Sequence, residues 1–205
     1  MPYGMPNLSF IGYPVAVPCR GHSGLGMRQA TRADTEAVTA HFLALAPEDR
    51  WMRFCATLDP GAIRSHVEGL WEREGIVLAA CDGPLFAGPL HKAGPIRGLA
   101  ELLVEGEEAE LGISVDRSLR RRGVGTYLLL TGASLLEPRG VRTIRATTMP
   151  GNSSFIGMAQ ALGGTVAYGP DLVEVAFDVA ELSAAYRRRR AAEIFGPAAL
   201  GRQGA

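Results

Sequence analysis

AELGISVDRSLRRRGVG, residues 109–125, is the stretch that decides the fold. Its first seven residues suit a β-strand, and the apolar run after its glycines suits an α-helix. The first backbone N–H groups of a helix lack internal partners and the helix dipole favours negative charge there, so a basic turn leading into a helix binds anions. Gly123 and Gly125 remove the side chains that would keep a phosphate from those N–H groups. The stretch therefore predicts a diphosphate site.

Two other phosphate-binding motifs do not fit this turn. A dinucleotide fingerprint has a third glycine where this chain has Leu128, and a nucleotide P-loop has a Gly-Lys-Ser/Thr triplet, whereas the only lysine of the chain is Lys92. What remains is Arg-x-x-Gly-x-Gly at residues 120–125, directly after a strand. On this turn alone, a solvated helix start that carries a cluster of arginines stays open.

Composition describes one globular domain and argues against several functional classes. The chain has 205 residues, 47% of them hydrophobic, and a formal net charge of zero, which argues against nucleic acid as a partner. No apolar run approaches the ~20 residues of a membrane span, and the N-terminus lacks the features of a signal peptide. Cys19, Cys55 and Cys81 have neither disulfide nor zinc-site spacing, so we expect a reducing cytoplasm and no metal.

Apolar periodicity and turn residues divide the chain into strands and helices. Residues 1–26 are rich in proline and glycine and suit an extended arm, and residues 83–94 suit a long loop. Asp34 and Asn152 are good N-caps for two of the helices. The predicted strands are 27–30, 75–81, 96–104, 109–115, 141–148, 165–168 and 172–179, and the predicted helices begin near residues 34, 47, 63, 126 and 152, with a helix-like tail at 180–195.

This order of elements, together with the Arg-x-x-Gly-x-Gly turn, resembles the GNAT superfamily of acyl-CoA-dependent N-acyltransferases. Residues 45–54 (LAPEDRWMRF) and the helix at 152–163 are similar to stretches of the subgroup that includes bacterial protein lysine acetyltransferases. The resemblance implies an α/β fold whose central, mostly antiparallel sheet is splayed between strands 4 and 5 and flanked by helices. It divides the chain into an N-terminal extension (1–26), an acyltransferase domain (27–179) and a C-terminal helical tail (180–205).

In this family the glycine turn holds the diphosphate of acetyl-CoA, and the splayed strand bonds the pantetheine arm and the thioester oxygen through its backbone. A backbone N–H directed at that oxygen would stabilise the charge of a tetrahedral intermediate. Asn152 either contacts this cosubstrate or only caps its helix. By resemblance, the residues that bind acetyl-CoA are Ile113, Ser114, Val115, Arg120, Arg121, Arg122, Gly123, Val124, Gly125, Thr126 and Asn152.

The reaction that the resemblance implies needs a group to take a proton from the amine, because a lysine-type amine is almost entirely protonated at pH 7. Glu110 is the first candidate, since it matches the acidic residue at this strand position in the protein-acetylating subgroup. Glu101 on the neighbouring strand is the second. For both, an exposed carboxylate without a catalytic role is the alternative. Ala159 stands where many family members have the tyrosine that protonates the leaving thiolate, which leaves the general acid unassigned.

Two functions remain open for such a chain. The first is an N-acetyltransferase that moves an acetyl group from acetyl-CoA to a primary amine, on a protein lysine or a small molecule, by direct attack in a ternary complex. The second is a non-catalytic acyl-CoA sensor. The arginine run at 187–190 is interpreted as a solvated helix face, and a homodimer built by the arm or tail stays open. The four histidines, His41 among them, show no metal-ligand spacing, and packing accounts for His41.

Overall fold

The computed structural model describes residues 15–16, 19, 24–83 and 94–195. Within these residues it contains eight strands and six α-helices. The strands are β1 (Val15–Ala16), β2 (Leu25–Gln29), β3 (Gly75–Asp82), β4 (Ile96–Glu105), β5 (Glu108–Val115), β6 (Thr143–Thr148), β7 (Thr165–Tyr168) and β8 (Val173–Asp178). The helices are α1 (Thr35–Ala44), α2 (Pro47–Phe54), α3 (Pro60–Leu70), α4 (Val124–Leu136), α5 (Ser153–Ala161) and α6 (Val179–Phe195).

The described strands form one sheet in the order β1-β2-β3-β4-β5-β6-β8-β7. Every neighbouring pair is antiparallel except β5 and β6, which run parallel. These two strands pair only between residues 108–110 and 143–145, so β5 parts from β6 from Leu111 onward. They correspond to strands 4 and 5 of the resemblance, because β1 adds one strand at the edge. The predicted α/β fold, with a mostly antiparallel sheet that is splayed at this point, is confirmed.

Each face of the sheet carries its own hydrophobic core, because successive side chains of a strand point to opposite faces. On β4, Ala100 and Leu102 belong to the core shared with α4, α5 and α6, which we call the α4 face. Leu99 and Leu103 belong to the core shared with α1 and α3, which we call the α1 face. Glu101 alternates with Ala100 and Leu102 and is buried, so the α1 face contains a carboxylate in its core.

Most predicted elements are present, with boundaries shifted by a few residues. The predicted hairpin is formed by β4 and β5 around Gly106, whose φ of +61° is easily adopted by glycine. Asp34 precedes α1 as predicted, but it does not cap the helix with its side chain. Its carboxylate instead accepts hydrogen bonds from Arg28 and from the Thr31 N–H. The loop predicted at 83–94 lies mostly outside the described residues.

The tail helix α6 packs on the α4 face. Its first residue, Val179, belongs to that core. Arg187 Nη1 lies 2.6 Å from a carboxylate oxygen of Glu137, and Arg190 Nη1 lies 3.4 Å from the Tyr127 hydroxyl. Two members of the arginine run therefore help to hold the helix in place. The division of the chain at residues 26 and 179 stays a prediction. In the part of the chain that the structure describes, no helix has the length and apolar character needed to cross a bilayer.

Candidate active site

A cavity of about 470 Å³ lies where β5 and β6 part. It reaches both faces of the sheet, since β5, α4 and α5 form one part of its wall and α2 forms the other. α2 is attached to the end of β6, because Thr148 Oγ1 donates a hydrogen bond to the Met52 carbonyl (3.4 Å). Of the residues predicted to bind acetyl-CoA, those that line this cavity are Ile113, Ser114, Val115, Arg120, Arg121, Gly123, Val124, Gly125, Thr126 and Asn152; Arg122 does not.

The N-terminus of α4 meets the cavity without a side-chain cap. Gly123 is the N-cap residue and has φ +94°, a left-handed conformation that glycine adopts without strain. Arg121, in the same turn, has φ +56° although it is not a glycine. A Cβ on Gly125 would lie 3.5 Å from Met158 Sδ and 3.6 Å from Val115 Cγ2. Neither Gly123 nor Gly125 carries a side chain that could screen the first N–H groups of α4, and this arrangement fits the diphosphate of acetyl-CoA.

Arg120 has an internal partner that sequence reasoning did not find. Its Nη2 lies 2.8 Å from Asp49 Oδ2, its Nη1 lies 2.9 Å from Oδ1, and its Nε donates to the Val115 carbonyl at 3.1 Å. Arg117 approaches the same carboxylate at 3.2 Å. Burial opposes the ionisation of Asp49, but hydrogen bonds and charge from Arg120 outweigh it and lower the pKa of Asp49. Binding of the diphosphate by the Arg120 side chain stays a prediction.

Residues 111–115 of β5 pair with β4 but not with β6, and we call them the unpaired half of β5. Their side chains lie in two different surroundings. Ile113 and Val115 lie toward Gly125 of α4, whereas Ser114 lies toward α1. Because the ladder with β6 ends at Glu110, the backbone edge of residues 113–115 that would face β6 is not used in sheet pairing. This is the backbone that the resemblance assigns to the pantetheine arm and the thioester oxygen.

Ser114 is bonded to a buried histidine. Its Oγ lies 2.8 Å from His41 Nε2, and the other ring nitrogen, Nδ1, lies 3.1 Å from the Ile96 carbonyl oxygen. Burial is the main influence on the imidazole, and it lowers the pKa of His41 despite the hydrogen bond to Ile96. Packing alone was the predicted explanation for His41, and the structure adds a polar contact with a residue of the cavity wall.

A second polar cluster on the α1 face surrounds Glu101. Its Oε2 accepts hydrogen bonds from Arg53 Nη2 (2.6 Å) and from His66 Nε2 (3.0 Å), whereas Oε1 is buried without a protein partner. The Arg53 guanidinium lies 4.8 Å from the centre of the Phe54 ring, and a Cβ on Gly112 would overlap it. Arg53 thus packs directly on the splayed strand, where only glycine leaves room for it. Arg53 also lines the cavity.

The two carboxylates predicted as candidate bases have opposite environments. Glu110 does not line the cavity; its side chain is 71% exposed and lies 3.7 Å from Arg73 Nη2. Glu101 is 2% exposed. Burial opposes the ionisation of Glu101, but the charge of Arg53 and the hydrogen bonds from His66 and Arg53 outweigh it and hold its pKa below the ordinary value. A carboxylate held in this way is a poor proton acceptor.

Asn152 caps α5, which was one of the two roles predicted for it. Its Oδ1 accepts a hydrogen bond from the Phe155 N–H (3.3 Å), and its Nδ2 donates to Thr148 Oγ1 (2.9 Å). Both ends of the carboxamide are therefore used inside the protein. Since Asn152 also lines the cavity, the contact with acetyl-CoA stays a prediction.

Among the described residues, no cluster of three or more His, Cys, Asp or Glu side chains is arranged to hold a metal ion. The site residues that sequence reasoning missed are Asp49, Arg53 and His41, all on the first two helices. Asp49 and Arg53 lie in the stretch 45–54 that carries the resemblance, but nothing local to any of the three residues indicated its partner. Glu101 did carry a local signal, because it is a single carboxylate within the otherwise apolar run Leu-Ala-Glu-Leu-Leu at residues 99–103.

Comparison with known proteins agrees with this geometry. A model of the acetyltransferase (GNAT) family matches residues 41–163. The GNAT domain of S. lividans PAT is 21% identical with a TM-score of 0.67, and the match covers 80% of this chain and 96% of that one. The structure of yncA from Salmonella typhimurium, solved with its cofactor acetyl-CoA, is 20% identical with a TM-score of 0.53, and the match covers 77% of this chain and 95% of that one. A cAMP-binding acyltransferase from Mycobacterium smegmatis is 18% identical with a TM-score of 0.56. The match covers 87% of this chain and 55% of that one, so this chain spans about half of that protein.

Proposed function

The chain belongs to the acetyltransferase (GNAT) family, and we propose that it is an N-acetyltransferase that moves the acetyl group of acetyl-CoA to a primary amine. The amine sits on a protein lysine or on a small molecule, and it attacks the thioester directly in a ternary complex. We place the reaction in the cytoplasm, which the spacing of the cysteines favours. The observation that carries the proposal is the cavity that passes through the sheet at the splay.

The two ends of the cavity suit the two substrates. On the α4 face, an uncapped helix N-terminus and the side chain of Arg121 offer an anion site for the diphosphate. On the α1 face, the wall is formed by side chains of α2, with Met52 and Arg53 nearest the splay. Acetyl-CoA would therefore enter from the α4 face and the amine from the α1 face. Their reacting atoms would meet beside residues 113–115 of β5.

This arrangement supports acyl transfer by positioning and by electrostatics. Holding the amine and the thioester together replaces a bimolecular encounter by a reaction between groups already in place. A backbone N–H of residues 113–115 directed at the thioester oxygen would stabilise the oxyanion, an effect that is worth roughly 100- to 1,000-fold in rate for one donor in other enzymes.

An ammonium group has to lose two protons to become an amide, one before the attack and one after it. For the first proton we propose Glu110, which shares the face of Ser114 on β5 and is open to solvent. An exposed carboxylate can pass this proton to water as the amine arrives. Substitution Glu110→Gln should lower kcat/KM about 100-fold in a folded protein. If the variant keeps the kcat/KM of the wild type at every pH, Glu110 does not take the proton.

The proposed function is tested by supplying acetyl-CoA with a panel of primary amines and lysine-containing peptides and measuring the free thiol that is released. We expect thiol release that depends on at least one amine, together with binding of acetyl-CoA in calorimetry. Binding without thiol release for any amine would favour the acyl-CoA sensor. Absence of binding would contradict both functions.

A further inference from the structure

Two groups that the proposed function leaves unused meet on the wall of the cavity. Ser114 lies on the unpaired half of β5 and lines the cavity, whereas His41 lies behind it on α1 and is 6% exposed. The pair therefore connects the point where the substrates would meet with a titratable group that is mostly buried. Glu110 is proposed for the first proton of the amine, and the second proton also needs an acceptor.

The hydrogen bonds of this pair have a defined direction. The Ile96 carbonyl can only accept, so His41 Nδ1 carries the hydrogen and donates it. In a neutral imidazole the other nitrogen is then an acceptor, and His41 Nε2 receives the Ser114 hydroxyl hydrogen across 2.8 Å. The lone pairs of Ser114 Oγ are left for a donor in the cavity. An amine that has just attacked a thioester carries such a donor.

The neutral form of His41 is the one that accepts a proton, and burial of the ring favours this form. Burial lowers the pKa of His41, in the direction opposite to the effect of nearby carboxylates. A neutral ring with its acceptor nitrogen turned to Ser114 is ready for proton transfer before any substrate binds. The charged and titratable groups around it are Asp116 after β5, Glu101 on β4 with His66 of α3 bonded to it, Arg53 on α2, and Asp49 with Arg117 across a smaller cavity of about 210 Å³.

We propose that Ser114 and His41 form the path that takes the second proton from the amine during acyl transfer. Ser114 contacts the reacting nitrogen, and His41 acts through Ser114. The inference rests on the proposed acetyltransferase function and adds a residue pair to it. Neither glutamate offers the same path, because Glu101 is held by Arg53 and Glu110 lies outside the cavity wall.

The amine lone pair forms the C–N bond to the thioester carbon, and the carbonyl π pair moves onto oxygen. One N–H proton passes to Ser114 Oγ while the hydroxyl proton of Ser114 passes to His41 Nε2, which gives an imidazolium. The oxyanion then re-forms the carbonyl as the C–S bond breaks and the pair leaves on sulfur. The imidazolium proton returns through Ser114 to the thiolate, so the products are an amide and free coenzyme A thiol.

Two substitutions separate proton transfer from packing. Ser114→Ala removes the hydroxyl that contacts the amine. His41→Gln keeps one donor for the Ile96 carbonyl and one acceptor for Ser114, but a carboxamide does not take up a proton at these pH values. Ser183→Ala is the matched control, because Ser183 is a buried serine on α6 whose hydroxyl is bonded to Glu137, away from the cavity.

The experiment measures kcat/KM from pH 9 down to the lowest pH at which the wild type stays folded, because burial lowers the pKa of His41 below the ordinary histidine value of about 6.5. Wild type and variants are compared with the best amine. We expect Ser114→Ala and His41→Gln to lose about 100-fold, with acetyl-CoA affinity unchanged and Ser183→Ala close to wild type. In the ratio of kcat/KM for the wild type to kcat/KM for His41→Gln, the ionisation of the amine cancels because it affects both proteins equally. This ratio should be constant above the pKa of His41 and fall about tenfold per pH unit below it.

Each outcome decides the proposal. A ratio that stays flat across this pH range, or variants that keep wild-type kcat/KM, would overturn it and leave the proposed acetyltransferase intact. A wild-type protein that releases no thiol with any amine would overturn both. If His41→Gln does not fold by circular dichroism, Ser114→Ala gives the same ratio and the same decision, since it interrupts the path at its other end.

Discussion

The two faces of the sheet contribute different chemical groups to the site, mainly backbone groups on one face and side chains on the other. On the α4 face the anion site is mainly backbone: a strand, a turn and the uncapped start of a helix within residues 109–136, beside side chains of α5. On the α1 face the site is made of polar side chains that reach it from distant parts of the chain. His41 and Ser114 are 73 residues apart, Asp49 and Arg120 are 71 apart, and Arg53 and Glu101 are 48 apart.

This difference has a physical reason. An anion site at a helix N-terminus follows from backbone groups that every helix has, so it needs only a turn that keeps them bare. A buried charge needs a partner at a specific place in three dimensions, because its desolvation is otherwise uncompensated. We therefore expect substitutions of the buried charged residues on the α1 face to act mainly on stability, and substitutions in the glycine turn on the α4 face to act mainly on ligand binding.

The largest effect should come from Arg53→Met. Glu101 would keep its buried position and His66, but lose the guanidinium that offsets its desolvation. We expect the free energy of unfolding to fall by about 3 kcal/mol in urea titrations. Arg145→Met is the control, because it breaks an exposed ion pair with Glu108, which solvent screens, and it should leave stability almost unchanged. Equal losses in the two variants would contradict the special role of the α1 face.

The same pair predicts a dependence on pH. In wild type the pKa of Glu101 is lowered on folding, so its contribution is present above the ordinary glutamate pKa of about 4.3 and is lost as the pH falls through the folded value. In Arg53→Met, burial without the guanidinium raises that pKa, and protonation relieves the penalty. The stability gap between the two proteins should therefore be widest at neutral pH and narrow on acidification. A gap independent of pH would assign the loss to packing.

On the α4 face, Gly125→Ala should leave the fold intact and weaken binding. A methyl group there has room, since its neighbours would lie at 3.5 Å or more, and alanine is the better helix former. It would, however, lie on the cavity wall beside Met158 and Val115, in the first turn of α4. We expect an unchanged or slightly higher unfolding free energy and a Kd for acetyl-CoA raised about tenfold in calorimetry. Gly157→Ala, on α5 with nothing near its added Cβ, is the control and should bind normally.

The sequence predicted the α4 face of the site better than the α1 face. The strand, the glycine turn and α4 were predicted because their signals are local: apolar periodicity, then Arg-x-x-Gly-x-Gly. The splay was expected from the family resemblance, and the end of the β5–β6 ladder at Glu110 agrees with it. The partners of Arg120 and Ser114 were not predicted. Asp49 reads as an ordinary acidic residue in the first turn of a helix, and only the docking of α2 on the splay brings it to the arginine.

A smaller effect is expected from Asp49→Asn, which tests a contact between the two faces. Asp49 lines the cavity with a negative charge and occupies the guanidinium of Arg120. An asparagine keeps a hydrogen bond to Arg120 and removes the charge that would repel a diphosphate. We expect Kd for acetyl-CoA to fall about threefold at low salt and the gain to shrink as salt is added. Weaker binding would show instead that Asp49 positions Arg120 for the ligand. Asp171→Asn, at an exposed position, controls for net charge.

The smallest effects are expected from glycine substitutions at two residues with positive φ, one on each face of the sheet. Cys55, after α2, and Arg121, before α4, have φ of +51° and +56°, where side chains other than glycine are disfavoured. Glycine at either position should raise the free energy of unfolding by about 0.5 kcal/mol, because the relief of strain slightly exceeds the added entropy of the unfolded chain. Cys55→Gly should leave Kd for acetyl-CoA unchanged, whereas Arg121→Gly removes a cation from the cavity wall and should raise it about threefold. Equal Kd values would mean that the Arg121 side chain takes no part in binding and that the backbone of the turn holds the diphosphate alone.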